Sequence, residues 1–290
     1  MYENQLSSPV NYSIQLQGTN QYGCSDNANE QITIYPEVEA GFMHDTSGCS
    51  VFEVNFHNQS YGAQFFTWNF GDNGTSQDIN PSHDFANYTT NDVEYNIEMI
   101  ASSIYSCSDT AYSSLVVYPS PIASFSVSPL SQTYPSTIVD IDNLSSAGNW
   151  NYSWDFGNGT FSDEQNPVSV DYQQWGDYEI TLEVYSQHCS DATSLMVEII
   201  PAEPTASFGS SASGCAPFTM KFTNNTQYAT SYLWTFGDGF TSTHEEPIHT
   251  FYDPGIYNVS LQAIGPGGED YTQDATIEVF EVPEAYFSVG

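Results

Sequence analysis

The stretch that decides the fold is Trp68-Asn69-Phe70-Gly71-Asp72, and it occurs three times along the chain. The other copies read Trp154-Asp155-Phe156-Gly157-Asn158 and Trp234-Thr235-Phe236-Gly237-Asp238. Each tryptophan is followed thirteen residues later by a proline, at Pro81, Pro167 and Pro247. The pattern predicts a short strand with two inward aromatic rings, a tight turn at Gly-Asp or Gly-Asn, and a second strand. Because the copies recur at about eighty residues, the chain is predicted to consist of repeated small domains.

A regular alternation of apolar and polar residues precedes each tryptophan strand. A period of two with one apolar face predicts strands that bury one side, as in a two-layer sandwich. The apolar positions are Phe52, Val54 and Phe56, then Thr137, Val139 and Ile141, then Phe218, Met220 and Phe222. A hairpin that starts at a tyrosine closes each repeat, at Tyr95, Tyr178 and Tyr257. About seven short strands in roughly eighty residues predict an all-β fold of tandem immunoglobulin-like β-sandwiches.

Short junctions that contain proline mark the predicted domain boundaries. Because they lack Gly/Ser tracts, the junctions are expected to be stiff spacers that align the sandwiches in a linear rod. Residues 10–36 match the last hairpin of a repeat, so the chain is expected to start and end inside an array. The predicted domains are the C-terminal part of a truncated domain (1–36), three complete domains (37–119, 120–201 and 202–282, here the first, second and third repeats), and the first strand of a further truncated domain (283–290).

The charge balance is extreme, with 36 acidic residues against one basic residue, Lys221. Nucleic-acid partners are excluded because phosphate binding needs clustered Lys and Arg, and anionic membranes are disfavoured for the same reason. No apolar run approaches the roughly 20 residues that a membrane helix needs, so no membrane insertion is expected. The acidic surface is expected to keep the chain soluble in a salty exterior, although a halophile's cytoplasm would also suit it.

No catalytic constellation is recognisable in the sequence. His83 and His249 occupy matching positions, but the second repeat lacks this histidine, which favours a structural ring near the tryptophan strand. The motifs His-Glu-x-x-His, Gly-x-Ser-x-Gly and Gly-Lys-Ser/Thr do not occur. The sequence therefore predicts a chain that is not an enzyme.

The repeats resemble PKD domains, the immunoglobulin-like modules first named from polycystin. The third repeat carries the motifs most fully: Tyr-x-Trp-x-Phe-Gly-Asp-Gly from Tyr232, then Pro247-Ile-His-Thr-Phe251, then Pro254-Gly-x-Tyr-x-Val-x-Leu261. The other repeats depart modestly, since Gly74 comes one residue late and Asn158 replaces the turn aspartate. The resemblance implies spacer or interaction modules of extracellular proteins, similar to arrays in large cell-surface adhesins of Bacteroidetes-type bacteria.

By this resemblance, the expected function is a structural and adhesive stalk segment of a large exported cell-surface protein that extends a distal binding tip. The expected partners are neighbouring repeats of the same polypeptide, together with surface polysaccharide or another cell-surface protein. Two alternatives remain open. One is a carbohydrate-binding accessory region of a secreted hydrolase, and the other is a calcium-dependent interaction module.

The calcium alternative rests on the turn acids Asp72 and Asp238, completed by the junction acids Glu37, Glu39 and Glu203. Calcium prefers several oxygen ligands, which such loops supply. The competing interpretation is that the turn side chains accept backbone N–H groups and stabilise the turn. No EF-hand spacing favours the metal, and calcium is the one cofactor that the sequence suggests.

The carbohydrate alternative rests on Trp150 and Trp175, which occur in the second repeat outside the repeated core pattern. An exposed pair of indole rings would stack on sugar rings. The competing interpretation is local packing of each ring under a loop.

The five cysteines fall into two classes. Cys49 and Cys215 precede the second strand of a repeat, whereas Cys24, Cys107 and Cys189 lie in its last hairpin turn. Pairing within a repeat would join Cys49 to Cys107, but those turns lie at opposite poles of a sandwich, roughly 17–20 Å apart and beyond the ~7 Å limit for a disulfide. Pairing across a junction joins Cys49 to Cys189 instead, and the other cysteines would then bond to further repeats. The inter-domain pairing is the preferred hypothesis, with Cys49–Cys107 as the alternative, and either implies an oxidising, extracellular location.

Overall fold

The computed structural model describes residues 2–209 and 211–287, and every regular element in that part of the chain is a β-strand. The predicted all-β class is therefore confirmed. The chain divides into two compact units, with the division passing through the second repeat. The first unit comprises Met1–Ser124, Leu144–Ser153 and Leu182–Thr193, and the second comprises Phe125–Asn143, Trp154–Thr181 and Ser194–Gly290.

The chain opens with an antiparallel hairpin of β1 (Val10–Thr19) and β2 (Ser25–Ile34), in which Val10 lies opposite Ile34. This is the hairpin expected from the match to the end of a repeat. Its apolar residues Ile14 and Leu16 are exposed to solvent.

The first repeat is a sandwich of nine strands. Its larger sheet has the order β4-β11-β10-β7-β8, and its opposite layer consists of the pairs β3-β6 and β5-β9. Strand β4 runs parallel to β11, whereas the other pairs are antiparallel. The strands are β3 (Phe42–Met43), β4 (Ser47–Cys49), β5 (Phe52–Asn55), β6 (His57–Asn58), β7 (Phe65–Asn69), β8 (Thr75–Ser76), β9 (Ser82–Phe85), β10 (Val93–Ser102) and β11 (Ser108–Tyr118).

The second repeat has the sheet orders β12-β14-β17 and β13-β19-β18-β15-β16, with β13 parallel to β19. Its interior residues, including Val139, Ile180 and Val197, are fully buried. The strands are β12 (Phe125–Ser128), β13 (Ser131–Thr133), β14 (Ile138–Asn143), β15 (Asn151–Asp155), β16 (Phe161–Ser162), β17 (Ser169–Asp171), β18 (Gly176–Tyr185) and β19 (Ser190–Ile200).

The third repeat returns to the layout of the first, with one five-stranded sheet, β21-β28-β27-β24-β25, and the pairs β20-β23 and β22-β26. The strands are β20 (Phe208–Gly209), β21 (Ala212–Cys215), β22 (Phe218–Lys221), β23 (Thr223–Asn224), β24 (Ser231–Thr235), β25 (Thr241–Ser242), β26 (Ile248–Phe251), β27 (Gly255–Gly265) and β28 (Gly268–Phe280). In the segment predicted to start a further domain, residues 283–287 carry no regular structure, and residues 288–290 lie outside the described part.

The repeated tryptophan is the centre of each core. Trp68, Trp154 and Trp234 are all 0% exposed. In the first repeat, Trp68 packs edge-on against Phe42 and tilted against Phe56, and in the third repeat Phe208 and Phe222 surround its tryptophan in the same way. The predicted core role of the tryptophan strand is confirmed, and the chain is a series of immunoglobulin-like β-sandwiches.

The glycine of the repeated stretch is required by the backbone. Gly71 has a φ of 84°, and a Cβ at this position would lie 2.6 Å from the carbonyl oxygen of Asn96 on β10. Only glycine accommodates both the left-handed conformation and this close approach. Strand β7 ends at Asn69, and Gly71 then directs the chain into the turn.

Candidate functional site

In two of the three repeats, the aspartate of the turn after the tryptophan strand pairs with a histidine on strand β9 or β26. In the first repeat, His83 Nε2 lies 2.7 Å from Asp72 Oδ2, and the imidazole stacks on Phe70 with ring centroids 4.3 Å apart. The third repeat has the same arrangement, with 2.6 Å between His249 Nε2 and Asp238 Oδ2. The histidine stacks on a core ring and pairs with the turn acid, which is the structural role predicted for it.

Two opposing effects set the pKa of Asp72. Burial raises the pKa, but the hydrogen bonds from His83 and from the Gly74 N–H lower it, and the net result lies below the ordinary value for aspartate. The carboxylate is thus held in its charged form. The second repeat has Asn158 in this turn, and that side chain bonds the Thr160 N–H at 3.0 Å and the Thr160 hydroxyl at 2.5 Å.

The proposed calcium ligands are not brought together. The two carboxylate oxygens of Asp72 accept from Gly74 N–H and pair with His83, and those of Asp238 accept from Phe240 N–H and pair with His249. The junction acids Glu37, Glu39 and Glu203 are exposed. Over residues 2–209 and 211–287, no three acidic, histidine or cysteine side chains form a group that could hold a metal ion. The geometry matches the turn-stabilising interpretation.

A disulfide within the first compact unit lies at the junction between the first and second repeats. Cys49, at the end of β4, is bonded to Cys189 in the β18–β19 turn, with 5.9 Å between their Cα atoms. Beside it, Tyr118 stacks face to face on His188, with ring centroids 3.8 Å apart. In the part of the chain that the structure describes, Cys24, Cys107 and Cys215 are free.

An aspartate in the last hairpin of each repeat accepts a hydrogen bond from the entry strand, a contact that no sequence pattern predicted. Asp109 Oδ2 accepts a hydrogen bond from the Ala40 N–H at 2.8 Å. This bond, with a second from the Thr110 N–H, lowers the pKa of Asp109. The equivalent bonds run from Ala123 N–H to Asp191 at 2.8 Å and from Ala206 N–H to Asp270 at 2.7 Å. The repeated Cys-Ser-Asp in two of the hairpins was the available signal, but its partner lies more than sixty residues away.

The two candidate sugar-binding tryptophans lie in different cavities. Trp150, in the first compact unit, borders a cavity of about 310 Å³ with Tyr88 and Ile122, and its indole N–H donates to the Ser146 carbonyl at 3.0 Å. Trp175, in the second compact unit, borders a cavity of about 450 Å³ with Tyr134 and Tyr228. The two rings therefore do not form a single stacking platform within either cavity.

Among residues 2–209 and 211–287, there is no helix that could span a membrane. Lys221 is the single Lys or Arg residue of the sequence, and its ammonium group forms an ion pair with the Glu246 carboxylate.

Comparison with curated proteins finds short stretches of larger enzymes. Collagenase ColA of Bacillus cereus is 37% identical over 54 residues, which is 19% of this chain and 6% of that protein. Collagenase ColQ1 of Bacillus cereus is 41% identical over 49 residues, or 17% of this chain and 5% of that protein. The chain thus spans only about one-twentieth of the length of these collagenases.

Solved structures align with the chain at low sequence identity. The PKD1 domain of Vibrio anguillarum Epp is 20% identical and aligns over 29% of this chain and 95% of its own, with a TM-score of 0.25. The N-terminal eight Ig domains of Down Syndrome Cell Adhesion Molecule are 9% identical and align over 94% of this chain and 46% of their own, with a TM-score of 0.49.

Family models give the decisive comparison. A model described as PKD domain matches residues 123–199, and another with the same description matches residues 201–279. The matches lie in tandem and together cover more than half of the chain, over the second and third repeats. The chain belongs to the PKD-domain family, as a tandem array of immunoglobulin-like β-sandwiches.

Proposed function

We propose that the chain is a stiffened, non-catalytic segment of the stalk of a large exported cell-surface protein, which extends a distal adhesive tip. The observation that carries the proposal is the junction between the first and second repeats. There the Cys49–Cys189 disulfide and the Tyr118–His188 stack connect the two repeats at two points. A domain pair held at two points resists bending more than a pair joined by the linker alone.

The junction before the first repeat supports the same function. Tyr35, immediately before Pro36, stacks on Tyr105 with ring centroids 4.8 Å apart. This is the place that Tyr118 and its partner take at the next junction, so the stacked pair recurs. Rings packed over a proline junction limit rotation of the linker, because the proline already fixes one backbone angle.

The charge of the chain supports an extended array outside the cell. With a formal net charge of −35, the repeats repel one another over roughly 10 Å in 0.1 M salt, which opposes folding back of one repeat on another. A disulfide also persists in an oxidising, exported setting. The partners of such a segment are the neighbouring repeats, with the adhesive contact made by the tip.

A second candidate is an accessory region of a secreted hydrolase, and the observation that favours it is the short alignment with two Bacillus cereus collagenases. PKD and immunoglobulin-like modules are typically non-catalytic, so in that case too the chain would position or bind and would not cleave. The presence of a catalytic domain in the flanking sequence would favour this candidate over the stalk.

Small-angle X-ray scattering of the whole chain tests the stalk function. We compare the wild type with a variant that removes both junction contacts, Cys49→Ser/Cys189→Ser/Tyr118→Ala, and use Cys24→Ser/Cys215→Ser as the matched control. Between about 0.01 M and 1 M salt, the maximum dimension of the wild type and the control should stay constant, whereas the variant should shorten as its charges are screened. Shortening of the wild type to the same extent would refute a stiff junction.

A further inference from the structure

The cavity beside Trp175 has the size and lining of a ligand site. It measures about 450 Å³ and lies in the second compact unit, where the loop before β18 and the loop before β24 approach each other. Three aromatic rings border it, Tyr134, Trp175 and Tyr228, and we call it the aromatic cavity. Pockets of roughly 300–1,000 Å³ with aromatic walls and a few polar groups are typical of small-ligand sites.

The aromatic rings are presented to solvent instead of being covered. Trp175 is 51% exposed and Tyr228 is 39% exposed. Tyr134 meets Tyr228 edge to face, with ring centroids 6.0 Å apart and an interplanar angle of 87°. A large exposed indole beside a braced tyrosine offers apolar faces that lose water when a flat apolar surface covers them.

The polar groups of the aromatic cavity are neutral. Its lining contains no Asp, Glu, Lys, Arg or His, although the chain carries 36 acidic residues. Two glutamines, Gln173 and Gln174, contribute amide side chains that have no hydrogen-bond partner within residues 2–209 and 211–287. Each amide can donate and accept hydrogen bonds. The lining therefore suits a neutral ligand that is rich in hydroxyl groups, and it has no cation for an anionic one.

The backbone around the aromatic cavity is strained in a manner that points to a role for Tyr228. Of the four non-glycine residues with positive φ in the described chain, two line this cavity, Gln173 at 55° and Tyr228 at 60°. A left-handed φ is unfavourable for a bulky side chain. Backbone strain of this kind concentrates at functional sites.

The corresponding position of the first repeat is Gly62, which borders a smaller cavity of about 250 Å³ that contains no tryptophan. The bridge between Glu39 and Tyr61 corresponds to the bridge between Thr205 and Gln227 in the third repeat. The residue after each bridge is Gly62 in one repeat and Tyr228 in the other, with φ values of 75° and 60°. Glycine adopts this conformation freely, whereas tyrosine does not. The fold thus accepts glycine here, and the tyrosine side chain serves another purpose.

We propose that the aromatic cavity binds neutral saccharides. The apolar face of a pyranose ring covers Trp175 or Tyr228, and the ring hydroxyls exchange hydrogen bonds with Gln173 and Gln174. The saccharide site does not depend on the stalk function. The junction contacts would be the same in a stalk that binds no saccharide and in an accessory region that binds one.

Isothermal titration and ligand-observed NMR with cellohexaose, maltohexaose and mannohexaose test the proposal on the whole chain, with hexagalacturonate as the anionic comparison. At least one neutral hexasaccharide should bind saturably. Trp175→Ala and Tyr228→Gly should each weaken that binding about tenfold or more. Trp150→Ala removes the other non-core tryptophan, in a different cavity, and should bind as the wild type does.

Thermal unfolding separates a binding role from a packing role. Because Gly62 occupies the equivalent position, Tyr228→Gly should leave the unfolding temperature unchanged or raise it, while saccharide binding weakens about tenfold or more. Should this variant unfold, Trp175→Ala decides alone, since its ring is half exposed. The proposal is overturned by absence of saturable binding of all three neutral probes at about 10 mM, by wild-type affinity in Trp175→Ala, or by equal loss in Trp150→Ala.

Discussion

Removal of the Cys49–Cys189 disulfide should destabilise the first and second repeats and leave the third unchanged. The bond closes a loop with a sequence separation of 140 residues that contains most of both repeats and none of the third. The chain-entropy treatment assigns about 5 kcal/mol to a loop of this length. When the first repeat unfolds and the second stays folded, the unfolded loop is only about 70 residues, which corresponds to about 4 kcal/mol.

Measured disulfide effects are usually smaller than the chain-entropy value, so we expect Cys49→Ser/Cys189→Ser to lose about 2–4 kcal/mol in each of the two repeats. For domains of this size, that loss corresponds to a decrease of roughly 10–25 °C in unfolding temperature. The third repeat acts as an internal control because its chain lies outside the loop. The exposed free cysteines provide a second control, Cys24→Ser/Cys215→Ser, which should unfold as the wild type does.

Hydrogen exchange with mass spectrometry, followed along a temperature or urea series, resolves the repeats separately. Peptides from the central strands β10, β18 and β27 report on the first, second and third repeats. Exchange in β10 and β18 should begin earlier in the variant, and exchange in β27 should not change. The reasoning fails if all three strands shift equally, if none shifts, or if non-reducing peptide mapping joins Cys49 to Cys107.

Three further predictions concern single side chains. The folded-state pKa of Asp72 lies below its ordinary value, so the stability that its carboxylate contributes is present above about pH 4 and is lost as the pH falls through the folded pKa. Hydrogen exchange of β10, measured from about pH 7 to pH 2, should therefore show a steeper loss of stability with acid in the wild type than in Asp72→Asn. Trp68 donates its indole N–H to the Asp78 carbonyl at 2.9 Å, whereas the Trp234 indole N–H has no hydrogen-bond partner in the described chain. Trp68→Phe should therefore destabilise the first repeat by about 1 kcal/mol more than Trp234→Phe destabilises the third. Equal losses of stability in urea unfolding would contradict this. Asp270→Ala removes the acceptor for the entry strand of the third repeat and should cost about 1–3 kcal/mol there, measured by earlier exchange in β27 with β10 unchanged.

The turn aspartate and the strand histidine that contacts it show how comparison of the repeats can indicate a contact. Asp72 and His83 are eleven residues apart, and Asp238 and His249 have the same separation. The second repeat has replaced both, with Asn158 and Ser169 at the corresponding positions. The aspartate and the histidine are both present in two repeats and both absent from the other, which indicates that they contact each other. The sequence predicted a structural role for the histidine but not its contact with the aspartate.

The cavity beside Trp175 shows the opposite situation. Trp150 and Trp175 were paired as candidates because both occur in the second repeat outside the repeated core pattern, yet they border different cavities. The partner of Trp175 is Tyr228, which belongs to the next repeat and has no composition or spacing signal of its own. Its left-handed backbone appears in the coordinates alone.

The sequence by itself determined the class of fold, the core tryptophans and the Gly-Asp turns. These features depend on residues a few positions apart, where strand periodicity and turn chemistry act on the local backbone. Only the tertiary structure decided that Asp109 receives the Ala40 N–H, that Tyr118 stacks on His188 and that Tyr228 joins Trp175 around one cavity. Such contacts join residues about fifty to seventy positions apart. They depend on how the ends of the sandwiches meet, which no local pattern records.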